Sequence, residues 1–477
     1  MSRSTRREFL KKSSFAAGLV TLAGTKSSGR VLGANDAIRA GIAGLNGRGQ
    51  SHLDDLLKID GVEITYLIDP DQKVLERSVK KVESATGRRP QAIQDIRQAL
   101  DDKELDVVTV ATPNHWHSLI TVWACDAGKD VYVEKPCSHN VHEGRIAVEM
   151  ARAKNRIVQH GTQSRSDAAW AGAIDFVKSG KAGKLQVARG LVYKRRDSIK
   201  FQKPETPPDY LDFNLWLGPA PEQAYHKNLV PYNWHWFWDT GNGDIGNQGV
   251  HQMDIARWGI GGTLPKTVVG LGGRFGYEDQ GQTPNTQIAL FDYGDAQLIF
   301  EVRGLPTENF PHAGLSGDNV FHCEGGLVTR GKFYPKGSDE PEPVPSVAVG
   351  PGGNHFRNFI SAVRTRSQSE LNADILEGHY SSALCHLANI SYRLGEKVPF
   401  DPQTKAFGDN TEAYETLGRM EQHLTANEIK LDGQAKYLLG RKLSIDAATE
   451  TFVGDDEANR MLTRQYRAPF VVPEKVA

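Results

Sequence analysis

A glycine-rich segment near residue 44 and an acidic residue downstream of it are the clearest chemical signal in the chain. The segment reads Gly44-x-Asn46-x-x-Gly49, and Asp69 lies 25 residues after Gly44. Between a strand and a helix, such a segment directs backbone N–H groups at a pyrophosphate, and a carboxylate at this distance accepts hydrogen bonds from ribose hydroxyls. The pattern predicts a dinucleotide site. The carboxylate favours NAD over NADP because it repels a 2′-phosphate.

Asn46 stands where the second glycine of this pattern usually lies. Asn accepts a left-handed backbone better than most residues, and Gly47 beside it offers an alternative point for close approach of the phosphates. For Asp69 the alternative role is that of a turn residue ahead of Pro70. Its position after a predicted strand favours the binding role.

Two further segments carry polar residues directly after predicted strands. Residues 112–117 (Thr-Pro-Asn-His-Trp-His) follow one strand, and residues 134–136 (Glu-Lys-Pro) follow the next. Either segment alone has an ordinary loop composition. Ligands bind at the carboxyl ends of the strands in a doubly wound sheet, so both segments are expected beside the same cleft.

The elements that must position these residues alternate between strand and helix. The predicted strands are residues 38–43, 62–68, 106–111, 131–133 and 156–160, with helical spacing of apolar residues between them. This alternation predicts a parallel, doubly wound α/β sheet over residues 35–163, a Rossmann domain.

The pattern changes near residue 184. Predicted strands cover residues 185–193, 267–272, 286–293 and 297–303, and helical spacing returns at 355–363 and 379–394. The last two strands flank Gly294-Asp295, a hairpin signal. We expect a mostly antiparallel α+β domain over residues 164–430. Residues 431–477 are expected to be a tail packed on the body or on a neighbouring subunit of a homo-oligomer.

Composition excludes some classes of partner. Lys and Arg number 57 against 58 acidic residues, so nothing favours nucleic acid or an anionic membrane surface. The cysteines are scattered without a CxxC motif, which predicts buried thiols rather than a disulfide framework. The histidines and aspartates of the second domain fit no common zinc spacing, so no metal is expected.

The first 34 residues have the order of charges and apolar residues of a twin-arginine export signal. Residues 5–11 read Thr-Arg-Arg-Glu-Phe-Leu-Lys, and a short apolar stretch runs from Phe15 to Ala23. That stretch is too short to span a bilayer. A periplasmic or otherwise exported protein is expected, with the twin-arginine translocation machinery as a partner. Because that machinery carries folded proteins, the cofactor is expected to be tightly bound. The alternative is a chance basic N-terminus.

On these motifs the chain resembles the Gfo/Idh/MocA family of glucose–fructose oxidoreductases, inositol dehydrogenases and rhizopine-catabolism proteins. The resemblance covers residues 38 to about 400. It includes residues 241–254, which are similar to the family's GGG…DxGxHxxD stretch. It implies a Rossmann domain followed by an open-faced sheet that carries the substrate side. It also implies a small carbohydrate or polyol as the substrate.

The resemblance implies that Lys135 and His251 are the catalytic pair, and the family's Asp falls on Asn247. Oxidation of an alcohol sends a hydride to the nicotinamide and a proton to a base. His is a natural proton carrier, and a Lys stabilises alkoxide charge. Asn247 and His251 share one face if the stretch is helical. Because Asn adds no negative charge, the pKa of His251 should be lower than beside an Asp.

Two sets of residues complete the candidate site. The cofactor-binding candidates are Gly44, Asn46, Gly47, Arg48, Gly49, Asp69, Thr112, Pro113, Asn114, His117, Glu134, Lys135 and Gln163. The substrate candidates are Trp234, His235, Arg165 and Lys194. Residues 234–238 hold three tryptophans, and such rings stack on sugar faces or fill a domain junction. Lys194 either binds an anionic sugar or lies in a solvated turn.

These observations favour an exported NAD-dependent oxidoreductase that acts on a sugar or polyol hydroxyl. Two alternatives remain. One is an NAD-dependent glycoside hydrolase or lyase, in which a transient keto-sugar acidifies the neighbouring C–H and permits elimination. The other is a noncatalytic sugar-binding relic. A change in NADH absorbance with candidate sugars, together with product analysis, separates the three.

Overall fold

The computed structural model describes residues 37–311, 317–401, 403–432 and 435–476, so the predicted export signal lies outside the described residues. The first domain is a parallel sheet between helices. Its strands are β1 (Ile38–Ala43), β2 (Val62–Ile68), β3 (Gln91–Ile93), β4 (Val107–Val110), β5 (Asp130–Val133) and β6 (Val158–His160). Its helices are α1 (Arg48–Leu56), α2 (Gln72–Thr86), α3 (Ile96–Leu100), α4 (Asn114–Asp126) and α5 (Val141–Ala153).

The strand order is β3-β2-β1-β4-β5-β6, and every pairing in this sheet is parallel. The predicted doubly wound sheet is confirmed. Strands β4 and β5 are buried along their whole length, as expected for central strands with helices on both faces. Strand β3, which the sequence pattern did not predict, lies at the sheet edge and is largely exposed.

The second domain is built on a larger, mixed sheet. Its first strands are β7 (Leu185–Tyr193), β8 (Thr267–Gly273), β9 (Thr286–Asp292), β10 (Gln297–Arg303) and β11 (Asn319–Cys323). The later strands are β12 (Gly326–Thr329), β13 (Lys332–Pro335), β14 (Glu342–Pro343), β15 (Glu396–Pro399), β16 (Lys436–Leu439), β17 (Leu443–Asp446) and β18 (Thr451–Phe452).

Further helices follow along the chain, of which the one at residues 355–365 packs in the apolar core of the Rossmann domain and not on the larger sheet. They are α6 (Ala168–Lys178), α7 (Phe213–Leu217), α8 (Gly243–Asn247), α9 (Gly249–Ile260), α10 (His355–Thr365), α11 (Ile375–Arg393), α12 (Thr411–Ala426) and α13 (Asp456–Arg460). Single 3₁₀ turns occupy Gln163–Ser166, Asn233–Trp236 and Gln368–Glu370.

The larger sheet runs in the order β14-β13-β12-β11-β7-β10-β9-β8-β16-β15. Its pairings are antiparallel except for β7 with β10, which confirms a mostly antiparallel α+β domain. The predicted hairpin joins β9 and β10. Helices α9 and α11 pack on one face. On the other face, Leu417 and Met420 of α12 pack against Leu271 and Ile299, so α12 covers part of the face that was expected to be open.

The last part of the chain touches both domains. Strands β16 and β17, which fall in the predicted tail, pair with β8 of the larger sheet. Further on, Phe470 lies 5.4 Å from the ring of Trp116 on α4. Its side chain belongs to the apolar core on that side of the Rossmann sheet. Among the described residues, no helix is both long and apolar enough to cross a membrane.

Candidate active site

A cleft of about 300 Å³ lies between the two domains, at the carboxyl ends of β1, β2, β4 and β5. We call it the interdomain cleft. From the Rossmann domain its lining includes Gly44, Asn46, Gly47, Arg48, Asp69, Asp71, Gln94, Ile96, Thr112, Pro113, Asn114, Trp116, His117, Glu134 and Lys135. From the second domain it includes Leu211, Leu215, Trp216, Tyr232, Trp234, His235 and Asn247. Ligands bind at this edge of open α/β sheets.

The glycine turn between β1 and α1 leaves little choice of residue at two positions. A Cβ on Gly44 would lie 2.5 Å from the backbone nitrogen of Thr112, and a Cβ on Gly49 would lie 1.8 Å from the carbonyl oxygen of Gly44. Gly47 has φ +58 with open space in front of it. Gly44 (φ +81) and Gly47 therefore both have the positive φ that favours glycine, whereas Asn46 does not. The side chain of Asn46 turns outward, where its Oδ1 accepts from Arg77 at 3.1 Å.

Asp69 lies at the end of β2, beside this turn. Its carboxylate accepts hydrogen bonds from the backbone nitrogens of Leu45 and Asp71 at 2.8 and 2.9 Å. Burial raises its pKa to about 6, although both of these hydrogen bonds act in the opposite direction. A carboxylate oxygen can accept more than one hydrogen bond, so the group can hold the turn and still accept from a ribose hydroxyl.

The donors in this part of the cleft fit a dinucleotide. In the described part of the chain, the backbone N–H groups of Asn46 and Gly47 have no hydrogen-bond acceptor. The Thr112 hydroxyl is buried without a partner there. Helix α1 has nine residues and points its N-terminus at the same space, where a pyrophosphate is stabilised.

Glu134, at the end of β5, is the centre of a buried hydrogen-bonded group. Its Oε1 accepts from Arg48 Nε at 2.7 Å and from Gln163 Nε2 at 3.1 Å, and lies 3.2 Å from His52 Nε2. Burial alone would raise the pKa of Glu134, but His52 and Arg48 hold it well below its usual range. Gln163 therefore acts on the cleft through Glu134 and is not itself part of the lining.

Lys135 follows Glu134 and lies where the two domains meet. Its Nζ donates to the backbone carbonyl of Asn247 at 2.5 Å. Burial lowers the pKa of Lys135, and the charge of Arg48 acts in the same direction, while Glu134 opposes it. An ammonium group at this place can stabilise an oxyanion.

Asn247 ends the short helix α8, and His251 lies on α9 after a break at Gln248. Asn247 lines the cleft, and its Nδ2 is 3.5 Å from the hydroxyl of Tyr232. His251 is not among the described residues that line the cleft. Burial lowers the pKa of His251 to about 3, and the charge of Lys135 acts in the same direction.

His235 is a second imidazole on the second-domain side of the cleft. Its ring lies against Trp234 with the centroids 3.5 Å apart, and it meets Tyr232 edge-on at 4.7 Å. Its Nδ1 is buried with no partner among the described residues. Burial holds its pKa well below the usual range, helped by the charge of Lys135. At neutral pH this ring is uncharged and able to accept a proton.

The structure does not bring every candidate into the cleft. Arg165 pairs with Asp254 at 2.8 Å and with Glu377 at 3.1 Å in a buried ion network. Lys194 is exposed and outside the lining. His117 does line the cleft, but its ring nitrogens lie 2.5 and 2.7 Å from the carbonyl oxygens of Pro136 and Thr112, so its side chain connects two strand ends.

Sequence reasoning missed several lining residues. Tyr232 belongs to the aromatic stretch, but the residues predicted there to bind substrate were its neighbours Trp234 and His235. Leu211, Leu215 and Trp216 come from the second domain and cover the end of the cleft near Asp71. Their segment has no motif and no clear periodicity, so only the tertiary contacts identify it.

Comparison with known families agrees with this geometry. Residues 38–162 match the NAD-binding Rossmann fold of the Gfo/Idh/MocA oxidoreductase family. Residues 186–268 and 318–426 match the C-terminal alpha/beta domain of the same family. The chain belongs to the Gfo/Idh/MocA family. The glycine turn at residues 44–49 lies inside the matched NAD-binding domain, so the predicted cofactor NAD is confirmed.

Solved structures share the fold at low sequence identity. The WlbA dehydrogenase of Bordetella pertussis, in complex with NADH and UDP-GlcNAcA, is 18% identical with a TM-score of 0.54, over 74% of this chain and 96% of that one. A levoglucosan dehydrogenase in complex with NADH is 16% identical with a TM-score of 0.55, over 74% of this chain and 97% of that one.

Curated relatives match over a shorter stretch. A glycosyl hydrolase family 109 protein of Shewanella pealeana is 28% identical over 202 residues, 38% of this chain and 44% of that protein. An alpha-N-acetylgalactosaminidase of Shewanella oneidensis is 30% identical over 159 residues, 29% of this chain and 35% of that protein. The matched part is thus less than half the length of these relatives.

Proposed function

We propose that this protein oxidises a hydroxyl group of a neutral carbohydrate or polyol with NAD. The observation that carries the proposal is the position of Lys135. Its half-buried side chain follows β5, and its ammonium group donates to the backbone carbonyl of Asn247 in the second domain, between the dinucleotide donors and an aromatic wall. An alcohol placed there meets a cation that stabilises its developing negative charge.

Different residues of the chain stabilise charge, accept the proton and bind the substrate. Bound NAD supplies the hydride acceptor. Lys135 stabilises the alkoxide, and a neutral imidazole, that of His251 or His235, accepts the hydroxyl proton. The rings of Trp234 and Tyr232 give the second-domain wall the amphipathic surface that suits one face of a sugar.

Apart from Lys135, which meets the reacting oxygen, and Arg48, which pairs with Glu134, the nearby cations support a neutral substrate. The guanidinium of Arg196 is held by both oxygens of Asp244, at 2.7 and 2.8 Å. Arg165 is neutralised by Asp254 and Glu377. Lys194, the remaining candidate for an anionic group, lies outside the lining. A carboxylate or phosphate on the substrate would lose hydration without gaining one of these cations as a partner.

The experiment begins with purified protein. Its bound nucleotide is released and identified, and the protein is then mixed with neutral sugars, polyols and uronic acids while NADH absorbance is followed. Reduction of NAD by a neutral sugar supports the proposal. Reduction by uronic acids alone would contradict the neutral substrate, and the absence of NADH formation and product with every class would contradict the function.

A redox-neutral cleavage of glycosides is a second candidate, favoured by the glycosyl hydrolase and alpha-N-acetylgalactosaminidase names of the relatives. In that reaction the hydride removed from the sugar returns to the product after the glycosidic bond has broken. Glycosides would then be cleaved with only a transient NADH signal. Product analysis by mass spectrometry separates a keto-sugar from a free sugar and its released aglycone.

We also propose that the protein is exported through the twin-arginine pathway, on the strength of residues 5–23. Replacement of Arg6 and Arg7 by Lys should keep the protein in the cytoplasm, because the motif depends on the paired arginines. Cell fractionation measures the effect. Equal recovery of both forms outside the cytoplasm would contradict this route.

A further inference from the structure

One segment of the second domain, residues 208–218, crosses to the Rossmann domain; we call it the strap. The backbone nitrogen of Gln72 donates to Tyr210 O at 2.9 Å, and that of Asp212 donates to Pro70 O at 3.0 Å. The ammonium of Lys73 lies 3.7 Å above the Tyr210 ring. These contacts attach the strap to the loop that follows β2.

The strap forms one wall of the interdomain cleft. Leu211 and Trp216 are buried there, and Leu215 lines the same end. Across from them lie Gln94 and Ile96, which follow β3. The acid at the end of β2 receives the adenosine ribose in this fold, so the strap covers the adenosine end of the cleft.

A second segment fastens the strap from outside. Arg467 donates to Asn214 O at 2.7 Å, to Asn214 Oδ1 at 2.5 Å and to Gly218 O at 3.1 Å. Trp116 on α4 donates to Trp216 O at 3.0 Å. Gly218 fits closely beneath Trp116, since a Cβ there would lie 2.2 Å from that ring.

The C-terminal segment is itself anchored on the Rossmann domain. Phe470 is 2% exposed and packs edge-on against Trp116, while the Arg467 guanidinium lies 5.0 Å from the Phe470 ring. Arg467 thus contacts the strap from a segment that is itself packed on the Rossmann domain. Movement of the strap away from the cleft requires these three hydrogen bonds to break.

We propose that the strap, fastened by Arg467, retains NAD as a resident group that stays on the protein between turnovers. This inference rests on the proposed function and deepens it. A retained dinucleotide must be returned to its starting redox state in place. The strap therefore favours a reaction in which the hydride goes back to the product or to a second carbohydrate over a reaction with NAD as a freely exchanging substrate.

The dissociation rate of the dinucleotide tests the proposal directly. Protein loaded with NADH is mixed with excess NAD, and the loss of bound NADH fluorescence is followed. Arg467→Ala should speed dissociation by about tenfold, since three hydrogen bonds to the strap are lost. Lys73→Ala, on the exposed side of α2, should speed it by about threefold. Arg460→Ala, at an exposed position in the same C-terminal stretch, is the matched control and should match the wild type.

The nucleotide content of purified protein gives a second readout. The wild type should keep close to one NAD per chain through gel filtration, and Arg467→Ala should lose most of it. Wild-type protein free of nucleotide would overturn the proposal, as would wild-type dissociation rates in both variants. If Arg467→Ala does not fold, the rate of Lys73→Ala decides. Reduction of bound NAD by sugars on the wild type tests the proposed function separately, so either idea can fail alone.

Discussion

The two ends of the interdomain cleft are built in different ways. At the dinucleotide end, the glycine turn and Asp69 lie within 26 residues of sequence, and they contact one another through short hydrogen bonds such as Leu45 N to Asp69 at 2.8 Å. At the substrate end, Lys135 meets a residue 112 positions away. The spacing of residues along the sequence therefore determines the dinucleotide end, whereas the substrate end depends on how the two domains pack against each other.

This difference explains which positions of the cleft can accept other residues. The requirements at the dinucleotide end are steric, since a side chain on Gly44 or Gly49 would collide with backbone. The substrate end has no such constraint on Tyr232 or Asn247. Their side chains contact each other within the second domain at 3.5 Å, and the backbone carbonyl of Asn247 meets Lys135 across the domain boundary. We expect substitutions at the substrate end to change the rate and pH dependence of the reaction, and substitutions at the other end to change the affinity for NAD.

The largest effect is expected for Lys135→Met. Methionine fills a similar volume but carries no charge, so it removes the group that stabilises the alkoxide. The rate of NAD reduction in a single turnover should fall by about 10²-fold or more, while the affinity for NAD changes little. Lys194→Met is the matched control, because that lysine is exposed and outside the lining. Full turnover by Lys135→Met would remove Lys135 from the mechanism.

The two histidines are expected to show the next largest effect, and they test which one carries the proton. The resemblance implies His251, whereas His235 lines the cleft. Burial lowers the pKa of both, so both are neutral at pH 7. Replacement of the true base by Gln should lower the single-turnover rate by about 10²-fold, and replacement of the other should act mainly on the KM. Equal, small losses in both variants would mean that neither is the base.

The sequence predicted the strands that position this site well, and the tertiary contacts between distant residues poorly. Strands β1, β2, β7 and β10 begin and end at the predicted residues, since apolar patterns and turn residues bound them. The strap was missed because its one regular element, α7, has only five residues and is held by Arg467, some 250 residues away. Arg165 was predicted to bind substrate because a sequence does not show that Asp254 and Glu377 neutralise it.

A smaller effect is expected at the dinucleotide end, for Asp69→Asn. The change removes the charge that repels a 2′-phosphate, so the ratio of the NADP and NAD dissociation constants should fall by about tenfold at pH 8. Burial raises the pKa of Asp69 to about 6. In the wild type the preference for NAD should therefore weaken as the pH falls through about 6, when the carboxyl becomes protonated.

The variant supplies the control for that pH dependence. The 2′-phosphate of NADP titrates in the same range, and in Asp69→Asn any remaining pH dependence belongs to the phosphate. The difference between the two profiles isolates Asp69. Coincident profiles, or an unchanged ratio at pH 8, would show that Asp69 supports the turn through Leu45 and Asp71 and does not select the cofactor.

The smallest expected effect is that of Asn247→Asp, a shift of about one pH unit. A carboxylate here favours the charged forms of its neighbours. It should raise the pKa of the catalytic imidazole, so that activity begins at a higher pH. It should also raise the lowered pKa of Lys135, so that activity persists to a higher pH. Both limbs of the pH–rate profile therefore move to higher pH, while the maximum rate is preserved.

A different role for Asn247 gives a different profile. If its amide donates to a substrate oxygen, Asp cannot donate and repels that oxygen, and the rate should collapse at every pH without a shift. Asn247→Ala separates the two, because it removes the amide without adding charge and should lower the rate only in the second case. A profile identical to the wild type would leave Asn247 a structural role. Its backbone carbonyl holds Lys135, and no side-chain substitution removes that contact.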